Sequence, residues 1–575
     1  MRTATRTQWQ SDGADALMAL RVGAVKEGRH RKAVARAGSP EQTGRLGRPS
    51  TLLIGSVVET SPERARASAE RALQQGADAV ELRLDFLSDP LTDSPALVRE
   101  VAGVADVVAT TRASWEGGLY AGSESSRINV LLSAASAGAA FVDCELECEA
   151  ASRIKCLLPD TTQLILSWHV FERSPPVDEL MRAHSYALDA DADVVKLAVS
   201  ASRIEDVANV TTALQQASAH QSPARTVGLA MGEAGVVTRL LAGKFGSAFT
   251  FGSVDGGSEA APGQVTLHEL RHLYGVQCVS RSTPVFGVIG NPVAHSRSPA
   301  LHNRALAHAG VPGVYVPYLV QDLSSFIHTF PFNKQEFSGF SVTVPHKEAA
   351  IQVCSGGIDP VAKEIGAVNT LVRQSDGSLK GYNTDGQAAI DAIEMSLSGP
   401  GALAGKTLVV VGAGGAGRAL AVCGQNAGAN IIVANRGVER AQSLANDIGG
   451  SARALSLDEL CRSPPSADAE GTDVVLANTT SVGMQPNEHE TPVSGSALSV
   501  FALVFDAVYA PLETTLLKDA KYAGCRVASG LDMFVGQAAK QFELFTGHEA
   551  PVSEMRNATL ESLGYPGESH SSGER

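Results

Sequence analysis

Short runs of β-branched and apolar residues recur along the first half of the chain, and each is followed by an Ala-rich stretch in which apolar residues have helical spacing. The runs read TLLIGSVV, AVELRLDF, DVVATTR, FVDCEL, QLILSWH, DVVKLAV, RTVGLAMG and AFTFGSV, and the last ends near Val254. Continuous apolar strands that alternate with helices form parallel sheets covered by those helices. Eight such units in succession predict a closed (β/α)8 barrel.

A different pattern begins after a polar segment and Pro284, which mark a linker near residues 279–284. Farther along, KTLVVVGAGGAGRALA places an apolar strand before Gly412, Gly414 and Gly417, in G-x-G-x-x-G spacing, and an Ala-rich helix after them. In this context the glycines permit a tight turn and close approach of the backbone to a pyrophosphate. The second half is therefore predicted to contain a Rossmann domain.

A chain of 575 residues is too long for one hydrophobic core, and about three to four domains are typical of this length. The predicted fold class is α/β: a (β/α)8 barrel followed by a two-domain α/β part with a Rossmann nucleotide-binding domain. The predicted parts are a leader (1–48), the barrel (50–280), a substrate-binding domain (284–397), the nucleotide-binding domain (402–527) and helices that return to the substrate-binding domain (528–565).

Composition and charge exclude several classes of protein. Apolar residues make up 44% and charged residues 19%, which is ordinary globular usage and excludes a fibrous or wholly disordered chain. The net charge of −14 makes the body a poor nucleic-acid binder, and no apolar run reaches the ~20 residues needed to span a membrane. The eight cysteines lack CxxC spacing, so free thiols are expected, with neither a metal site nor a disulfide scaffold.

The first 48 residues differ from the acidic body. They hold ten Lys or Arg and four Asp or Glu, with few periodic apolar residues. This composition resembles an organelle transit peptide and predicts a plastid location, with the cytoplasm otherwise. A disordered extension without a targeting role is the alternative.

Chemistry in a (β/α)8 barrel is carried by side chains at the carboxyl ends of the strands. His169 ends the fifth run and Lys196 lies in the sixth. Burial disfavours the ammonium form of a lysine and provides a free amine that can attack a ketone, while a histidine can move a proton near neutral pH. A salt-bridged core lysine and a hydrogen-bonded histidine are the alternative. Glu81, Arg83 and Asp85 alternate in the second run, so we expect them to share the lumen face.

The segments ELRLDF, ATTRASWEGG, LSWHVFERSP, VVKLAVS, MGEAGVVTRL and APGQ occur in the order seen in type I 3-dehydroquinate dehydratases, and the resemblance covers about residues 50–280. It implies that Lys196 is the Schiff-base lysine and His169 the general acid/base. The implied substrate contacts are Glu81, Arg83, Arg112, Arg239 and Gln264. The family usually has a Ser where this chain has Ala260, which implies the loss of a hydroxyl contact.

Three features of the second half have chemical meaning by themselves. Ser296 and Ser298 precede a helical stretch, where they could receive a carboxylate or simply cap the helix. Lys347 and Asp385 could form a proton-donating pair beside a carbonyl, or a structural ion pair. The strand NIIVANR ends in Asn435 and Arg436, where NAD-selective sites usually place an acid, so NADP is the expected cofactor.

The segments GFSVTVPHKEAA, GAVNTLV, GYNTDGQAA, NTTSVGM, VFDAVYAPLETTLL and GLDMFVGQAAKQFELFTG together resemble shikimate dehydrogenases over about residues 284–565. The resemblance implies that Lys347 and Asp385 are the catalytic pair. The implied substrate contacts are Ser296, Ser298, Thr343, Asn369, Tyr509 and Gln537. The implied cofactor contacts are Gly412, Ala413, Gly414, Gly415, Ala416, Gly417, Asn435, Arg436, Arg440 and Gly530. Ser341 replaces the family's usual Asn, as in plant-type fusions, and Ser298 with Thr343 implies shikimate rather than quinate as substrate.

The two resemblances imply a plant-type fusion that dehydrates 3-dehydroquinate to 3-dehydroshikimate and then reduces this product to shikimate with NADPH. The expected partners are these small molecules, with neither nucleic acid nor membrane, and the oligomeric state stays open, a monomer being one possibility. One alternative is an active dehydrogenase joined to an impaired dehydratase, for which Ala260 is the support. The other is a metabolite-sensing regulator built on the same folds, which the presence of His169, Lys196, Lys347 and Asp385 disfavours.

Overall fold

The computed structural model describes residues 51–219, 224–255, 264–329, 337–466 and 473–567. The predicted leader (1–48) and Ala260 lie outside these ranges. Pro49–Arg575 forms one compact unit. Within the described ranges, no helix combines the length and apolar character that crossing a membrane requires. All eight cysteines are free thiols, as the sequence predicts.

Eight parallel strands form the first sheet. They are β1 (Leu52–Val57), β2 (Ala79–Arg83), β3 (Asp106–Thr110), β4 (Phe141–Glu145), β5 (Gln163–Val170), β6 (Val194–Ser200), β7 (Arg225–Met231) and β8 (Phe249–Ser253). Their order is β7-β6-β5-β4-β3-β2-β1-β8, and Ala248 N, just before β8, donates a 2.8 Å hydrogen bond to the Thr226 carbonyl of β7. Each strand overlaps one predicted run, and the nearly closed ring confirms the predicted barrel.

Helices cover the outer face of this barrel. They are α1 (Pro62–Gln74), α2 (Pro90–Ala102), α3 (Glu124–Ser136), α4 (Val177–Asp189), α5 (Ile204–Ala219), α6 (Val236–Leu240) and α7 (Ala242–Phe245). In α1, Ser61 caps the first turn and Pro62 follows it, while Ala65, Ser68, Ala69 and Ala72 are buried at helical spacing. These small side chains let the helix approach the sheet closely.

The second strand ends earlier than its apolar pattern suggests. β2 stops at Arg83, and Leu84–Phe86 form a 3-10 turn. The prediction that Asp85 continues the alternation of Glu81 and Arg83 along one strand is therefore wrong. The turn instead brings the Asp85 carboxylate back against the Arg83 guanidinium, with two hydrogen bonds of 2.8 and 2.9 Å.

The second sheet is mixed and has five strands. Its strands are β9 (Val285–Gly290), β10 (Val314–Leu319), β11 (Phe337–Val342), β12 (Thr370–Arg373) and β13 (Leu379–Tyr382). They lie in the order β10-β9-β11-β12-β13, with β12 and β13 antiparallel to their neighbours. The helices of this part are α8 (Ser298–His308), α9 (Leu323–Thr329), α10 (Pro360–Ile365) and α11 (Asp385–Leu397).

The third sheet has six parallel strands. They are β14 (Thr407–Val411), β15 (Asn430–Asn435), β16 (Arg453–Ser456), β17 (Val474–Asn478), β18 (Leu503–Asp506) and β19 (Arg526–Ser529). The order β16-β15-β14-β17-β18-β19 is that of a Rossmann domain. The helices are α12 (Gly415–Asn426), α13 (Val438–Ile448), α14 (Leu457–Arg462), α15 (Thr515–Tyr522), α16 (Gly530–Thr546) and α17 (Val552–Ser562).

The last two helices pack largely on the second sheet. The Phe545 ring of α16 stacks on Phe286 of β9 with centroids 5.5 Å apart. Arg304 of α8 forms a 2.6 Å ion pair with Glu561 of α17. Helix α16 therefore starts at the Rossmann strands and ends on the second sheet, so it forms one side of the cleft between them.

A buried lysine holds the segment that joins the barrel to the second sheet. Lys244 of α7 donates hydrogen bonds to the carbonyls of Arg281 and Thr283, at 2.8 and 2.7 Å. A further bond of 3.2 Å links the Gln321 side chain, next to α9, to the Ser202 carbonyl of the barrel. The predicted linker is thus in direct contact with the barrel.

Candidate active sites

Lys196 lies in the lumen of the barrel and is buried. Its Nζ is 3.0 Å from Asp143 Oδ2 of β4 and 4.6 Å from the centroid of the Phe251 ring of β8. Strands β4, β5 and β6 are neighbours, and the alternation of side chains along them directs Asp143 and Lys196 to the same face of the sheet. The amine thus has one anionic partner and one aromatic wall.

A series of alternating charges extends from Lys196 to helix α3. Asp143 accepts a hydrogen bond from Ser167 Oγ at 2.6 Å and forms an ion pair with Arg112 at 2.9 Å. Arg112 also pairs with Glu145 at 3.1 Å, and Glu145 in turn pairs with Arg127. Arg127 also pairs with Glu124 of α3 at 2.6 Å. We call Lys196, Asp143, Arg112, Glu145, Arg127 and Glu124 the charge chain.

The inner members of the charge chain are almost completely buried, so they depend on one another for solvation. Burial alone would raise the pKa of Asp143, but Arg112 and Lys196 hold the pKa of this carboxyl well below its usual range. Asp143 therefore stays ionised beside the lysine. The negative charge at this position is a permanent feature of the lumen.

His169 and Glu116 form a second pair at the same end of the barrel. His169 Nδ1 is 2.7 Å from Glu116 Oε2, which lies in the 3-10 turn Ser114–Glu116 after β3. Burial, assisted by Arg112 and Lys196, lowers the pKa of His169 well below its usual range. Burial likewise raises the pKa of Glu116 to about 8. The imidazole is therefore neutral at rest and able to accept a proton, while Glu116 fixes the ring orientation.

Arg239 has a different environment from Arg112. Both guanidinium groups are buried, but Arg112 has three acidic neighbours: Asp143, Glu145 and Glu116. Arg239 donates from Nη1 to the Ala230 carbonyl at 3.0 Å, its Nε has no partner among the described residues, and burial lowers its pKa to about 10. A buried cation that no acid of the described residues pairs with suits an anionic ligand such as a carboxylate.

The remaining predicted contacts of the barrel are held by hydrogen bonds. Glu81 accepts from Ser56 Oγ at 2.8 Å and Thr110 Oγ1 at 3.0 Å, and Gln264 Nε2 donates to the same Ser56 hydroxyl at 3.2 Å. Arg83 is held by Asp85 and lies close enough to His169 to help lower its pKa. Glu81 and Gln264 thus meet at one point of the wall.

A second site lies in the cleft beside α16, where a cavity of about 300 Å³ opens. Nine predicted residues line it: Ser296, Ser298, Thr343, Lys347, Asn369, Asp385, Tyr509, Gly530 and Gln537. Lys347 Nζ and Asp385 Oδ2 are 2.7 Å apart. Arg297 is the N-cap of α8 and makes no side-chain cap hydrogen bond, so the capping interpretation is not supported. Ser296 Oγ accepts from Ser298 N at 3.3 Å, and both serines face the cavity.

Backbone and side-chain hydrogen bonds fix the two loops that carry Lys347 and Asp385. Val368 N donates to the Lys347 carbonyl at 2.8 Å, and Asn369 exchanges hydrogen bonds of 2.9 Å with Thr384, the residue before Asp385. Asn369 is almost completely buried. It therefore orients the ion pair as well as lining the cavity.

A buried polar network lies under the same cavity. Tyr315 OH donates to Ser341 Oγ at 2.7 Å, and Ser341 Oγ donates to Gln541 Oε1 at 2.6 Å. Gln541 Nε2 continues to Thr370 Oγ1 at 3.0 Å. Gln541 was not predicted, although it lies four residues after Gln537 on α16 and so on the same helix face.

The glycine-rich turn leaves space above the first turn of α12. Gly412 has φ +109°, and a Cβ at Gly417 would lie 2.1 Å from the Gly412 carbonyl oxygen. A Cβ at Gly414 or Gly415 would meet no atom within 4 Å. The outer glycines are thus required by the turn, and the middle ones leave the helix N-terminus open to a phosphate group.

Two arginines follow the next strand. Arg436 and Arg440 lie at the end of β15 and the start of α13, are exposed, and have no acidic partner within the described ranges. Asn435 Nδ2 donates to the Gly437 carbonyl at 3.0 Å. No acid occupies the position that would bind ribose hydroxyls in an NAD site, and two unneutralised guanidinium groups fit the 2′-phosphate of NADP.

Family models match both halves of the chain. Type I 3-dehydroquinase matches residues 55–280 and the shikimate dehydrogenase substrate binding domain matches 288–371. Shikimate / quinate 5-dehydrogenase matches residues 394–484, and the shikimate 5'-dehydrogenase C-terminal domain matches 530–560.

The chloroplastic bifunctional 3-dehydroquinate dehydratase/shikimate dehydrogenase of Arabidopsis thaliana is 44% identical over 517 residues, which cover 87% of this chain and 83% of the relative. This chain belongs to the bifunctional 3-dehydroquinate dehydratase/shikimate dehydrogenase family. Shikimate dehydrogenase (NADP(+)) of Moorella thermoacetica is 42% identical over 50% of this chain and 96% of its own. The solved dehydroquinate dehydratase and shikimate dehydrogenase from S. pombe AroM covers 90% of this chain and 99% of its own, with 26% identity and a TM-score of 0.42.

The lumen of the dehydratase half contains acidic groups that were not predicted from the sequence. Asp143 and Glu145 belong to the run FVDCEL, which we interpreted only as a buried strand. Their spacing of two places both on the lumen face, and that spacing was the available signal. Glu116 lies within the segment ATTRASWEGG, but nothing in the sequence indicated its contact with His169.

Proposed function

We propose that the dehydratase half converts 3-dehydroquinate to 3-dehydroshikimate through a Schiff base on Lys196, and that the dehydrogenase half reduces this product to shikimate with NADPH. The observation that supports the proposal is that each half brings the residues proposed for its chemistry close together. Lys196 and the His169–Glu116 pair lie at one end of the barrel, and Lys347 pairs with Asp385 in the cleft. A regulator built on these folds would need neither arrangement.

In the dehydratase half, the Lys196 amine adds to the ketone carbon. The ketone oxygen takes one proton from that nitrogen and one from solvent, and leaves as water. The product is an iminium, in which nitrogen carries one hydrogen and the positive charge. His169 then removes a proton from the neighbouring carbon, and the C–H electron pair forms an enamine.

Collapse of the enamine expels the substrate hydroxyl, which takes the proton from His169 and leaves as water. Hydrolysis of the conjugated iminium releases 3-dehydroshikimate and restores the amine. Arg239 is suited to hold the substrate carboxylate because, among the described residues, its guanidinium has a carbonyl partner and no acid. Glu81, Arg83, Arg112 and Gln264 complete the proposed substrate contacts, with Arg112 acting mainly through Asp143 and Glu145.

In the dehydrogenase half, NADPH would supply the hydride that reduces the carbonyl of 3-dehydroshikimate. The residues proposed to hold it are Gly412, Ala413, Gly414, Gly415, Ala416, Gly417, Asn435, Arg436, Arg440 and Gly530. Lys347 and Asp385 place an acidic proton within the cavity for the carbonyl oxygen. Ser296, Ser298, Thr343, Asn369, Tyr509 and Gln537 orient the substrate, and Ser298 with Thr343 favours shikimate over quinate.

We also propose that the chain acts in plastids. The support is the basic composition of residues 1–48 and the chloroplastic location in the name of the Arabidopsis relative. A fluorescent fusion of residues 1–50 that enters plastids is the expected result. A fusion that stays in the cytosol would reject this location.

Two lysine variants test the activities separately. With 3-dehydroquinate and NADPH, the wild-type protein should show transient enone absorbance and loss of NADPH. Lys196→Met should abolish both signals and the borohydride-trapped adduct, yet still oxidise NADPH when supplied with 3-dehydroshikimate. Lys347→Met should accumulate the enone without consuming NADPH. A wild-type protein that gives neither signal would overturn the proposed function.

A further inference from the structure

The proposed function assigns no chemical step to Asp143, a lumen group of the dehydratase half. It is completely buried, and its Oδ2 is 3.0 Å from the Lys196 nitrogen that would react. An ionised carboxylate in such a place costs free energy unless it is compensated. Stability alone does not require it, because an apolar pair of similar volume often serves a protein core equally well.

We propose that Asp143 is the counterion of the iminium formed on Lys196, a role that rests on the Schiff-base function proposed above. The nitrogen of an imine withdraws electrons strongly only while it is protonated. A fixed negative charge at 3.0 Å favours that protonated form throughout the reaction. The counterion thus keeps the electron sink active while His169 removes the proton from the neighbouring carbon.

The surroundings of Asp143 keep its charge and position constant. Ser167 Oγ donates to Oδ1 at 2.6 Å, and Arg112 Nη2 lies 2.9 Å from Oδ2. The charged and titratable groups that face it are Lys196 on β6, Arg112 after β3, His169 on β5, Glu116 in the turn after β3, and Glu145 on its own strand. Arg112 is shared with Glu145 at 3.1 Å, so Asp143 faces a cation that is already partly neutralised.

This arrangement separates the roles of two acids on one strand. Glu145 pairs with Arg112 and Arg127, and its carboxylate also accepts from Ala113 N at 2.9 Å. It has no contact with Lys196 among its hydrogen bonds and ion pairs. Asp143 is the member of the charge chain that contacts the reacting nitrogen, so neutralising it should change the chemistry of the imine rather than the binding of substrate.

The test is Asp143→Asn, which keeps the size of the side chain and a hydrogen bond to Ser167. We expect kcat for dehydration to fall about 100-fold, the effect of removing one preorganised electrostatic contact, while KM stays within about threefold. The alkaline limb of the kcat profile should move to lower pH by about one unit or more, because the iminium then loses its proton more easily. Asp143→Glu keeps the charge and should retain the wild-type alkaline limb.

The matched control is Glu124→Gln, which removes the outermost acid of the charge chain. Glu124 contacts Arg127 and lies at the opposite end of the charge chain from Lys196. Its loss should therefore leave kcat and the pH profile at wild-type values. Tryptophan fluorescence from Trp115 and Trp168 reports folding of the barrel, and NADPH oxidation with 3-dehydroshikimate reports the other half. If Asp143→Asn fails to fold, Ser167→Ala is the second variant, because it removes the hydrogen bond to Asp143 Oδ1. The alkaline limb should then move in the same direction by a smaller amount.

The outcomes separate this inference from the proposed function. Failure to trap any borohydride adduct in the wild-type protein would reject the Schiff base itself. A normal adduct together with a wild-type kcat and pH profile in Asp143→Asn would reject the counterion alone. An equal loss in Glu124→Gln would also reject it, since the charge chain would then act only through stability.

Discussion

Arg112 and Arg239 receive the same role from the sequence, yet they lie in opposite electrostatic environments. Arg112 has three carboxylate neighbours, whereas Arg239 has a carbonyl partner and a pKa that burial lowers to about 10. Sequence motifs identify both as arginines near a substrate but do not count the acids around them. Arg239 is therefore the better candidate for the carboxylate contact.

The first prediction concerns this residue. Arg239→Gln should raise KM for 3-dehydroquinate about 100-fold and change kcat much less, because one charged hydrogen-bonding contact to the substrate is lost. Steady-state dehydration assays measure both constants. Arg225→Gln is the control, since Arg225 lies at the amino end of β7, between the Phe141 and Phe249 rings, and should leave KM unchanged. An unaltered KM in Arg239→Gln would contradict the assignment.

A second residue-scale prediction follows from Glu116. Its pKa is raised to about 8 in the folded chain, so the fold favours the neutral form. The stabilisation is complete below the ordinary pKa of 4.5 and is lost as pH rises from there through about 8. Relative to the wild type, Glu116→Gln should therefore become more stable between pH 5 and pH 8.5, by up to about 4 kcal/mol.

Urea unfolding followed by the fluorescence of Trp115 and Trp168 measures this difference, because both tryptophans flank the pair in the barrel. Glu233→Gln, outside the His169 contact, is the comparison variant and should show no such trend. A stability difference that is independent of pH would show that Glu116 is ionised in the fold.

At the scale of elements, apolar patterning predicted all eight barrel strands because each is buried on both faces and bounded by polar turns. It failed at Asp85, since alternation of polar residues continues past the point where β2 turns into Leu84–Phe86. Apolar patterning also did not predict a role for Asp143 and Glu145, because polar residues within a buried strand have no evident function until their partners on neighbouring strands are known. Contacts between strands that are distant in sequence cannot be predicted from local periodicity.

The glycine-rich turn gives a prediction at this scale. Gly417→Ala should reduce NADPH oxidation and lower the heat stability of the activity that remains, because its Cβ would lie 2.1 Å from the Gly412 carbonyl oxygen. Gly414→Ala should keep heat stability and raise KM for NADPH about tenfold, since its Cβ enters space left for the phosphates. Dehydratase activity in the same sample is the internal control. Equal heat stability in the two variants would contradict this division of roles.

At the scale of the whole molecule, the two activities share one compact unit, and the contact made by Lys244 ties the joining segment to the barrel. Consecutive active sites on one chain raise the local concentration of the intermediate by proximity alone. The order of the domains was predicted from the sequence, but their boundaries stay predictions. The contacts that hold the linker could not be predicted, because they depend on backbone carbonyls and one lysine of α7.

Lys244→Met should loosen that segment and raise the rate of tryptic cleavage after Arg281 tenfold or more, since two charge-assisted hydrogen bonds are lost. Gel electrophoresis and mass spectrometry measure the rate and the site of the cut. Lys155→Met removes a different barrel lysine, paired with Asp193, and should leave the rate unchanged. Similar rates in both variants would mean that Lys244 does not hold the linker.

The charge chain also has an evolutionary consequence. Neutralising one inner member leaves a neighbouring charge buried without its partner, so single changes at Asp143, Arg112 or Glu145 are disfavoured even where a double change would fold. Such positions are expected to tolerate few single substitutions in a mutational scan and to vary, when they do, in compensating pairs. The residues of the charge chain would thus change together during evolution, whereas residues of the surrounding helices would change independently of one another.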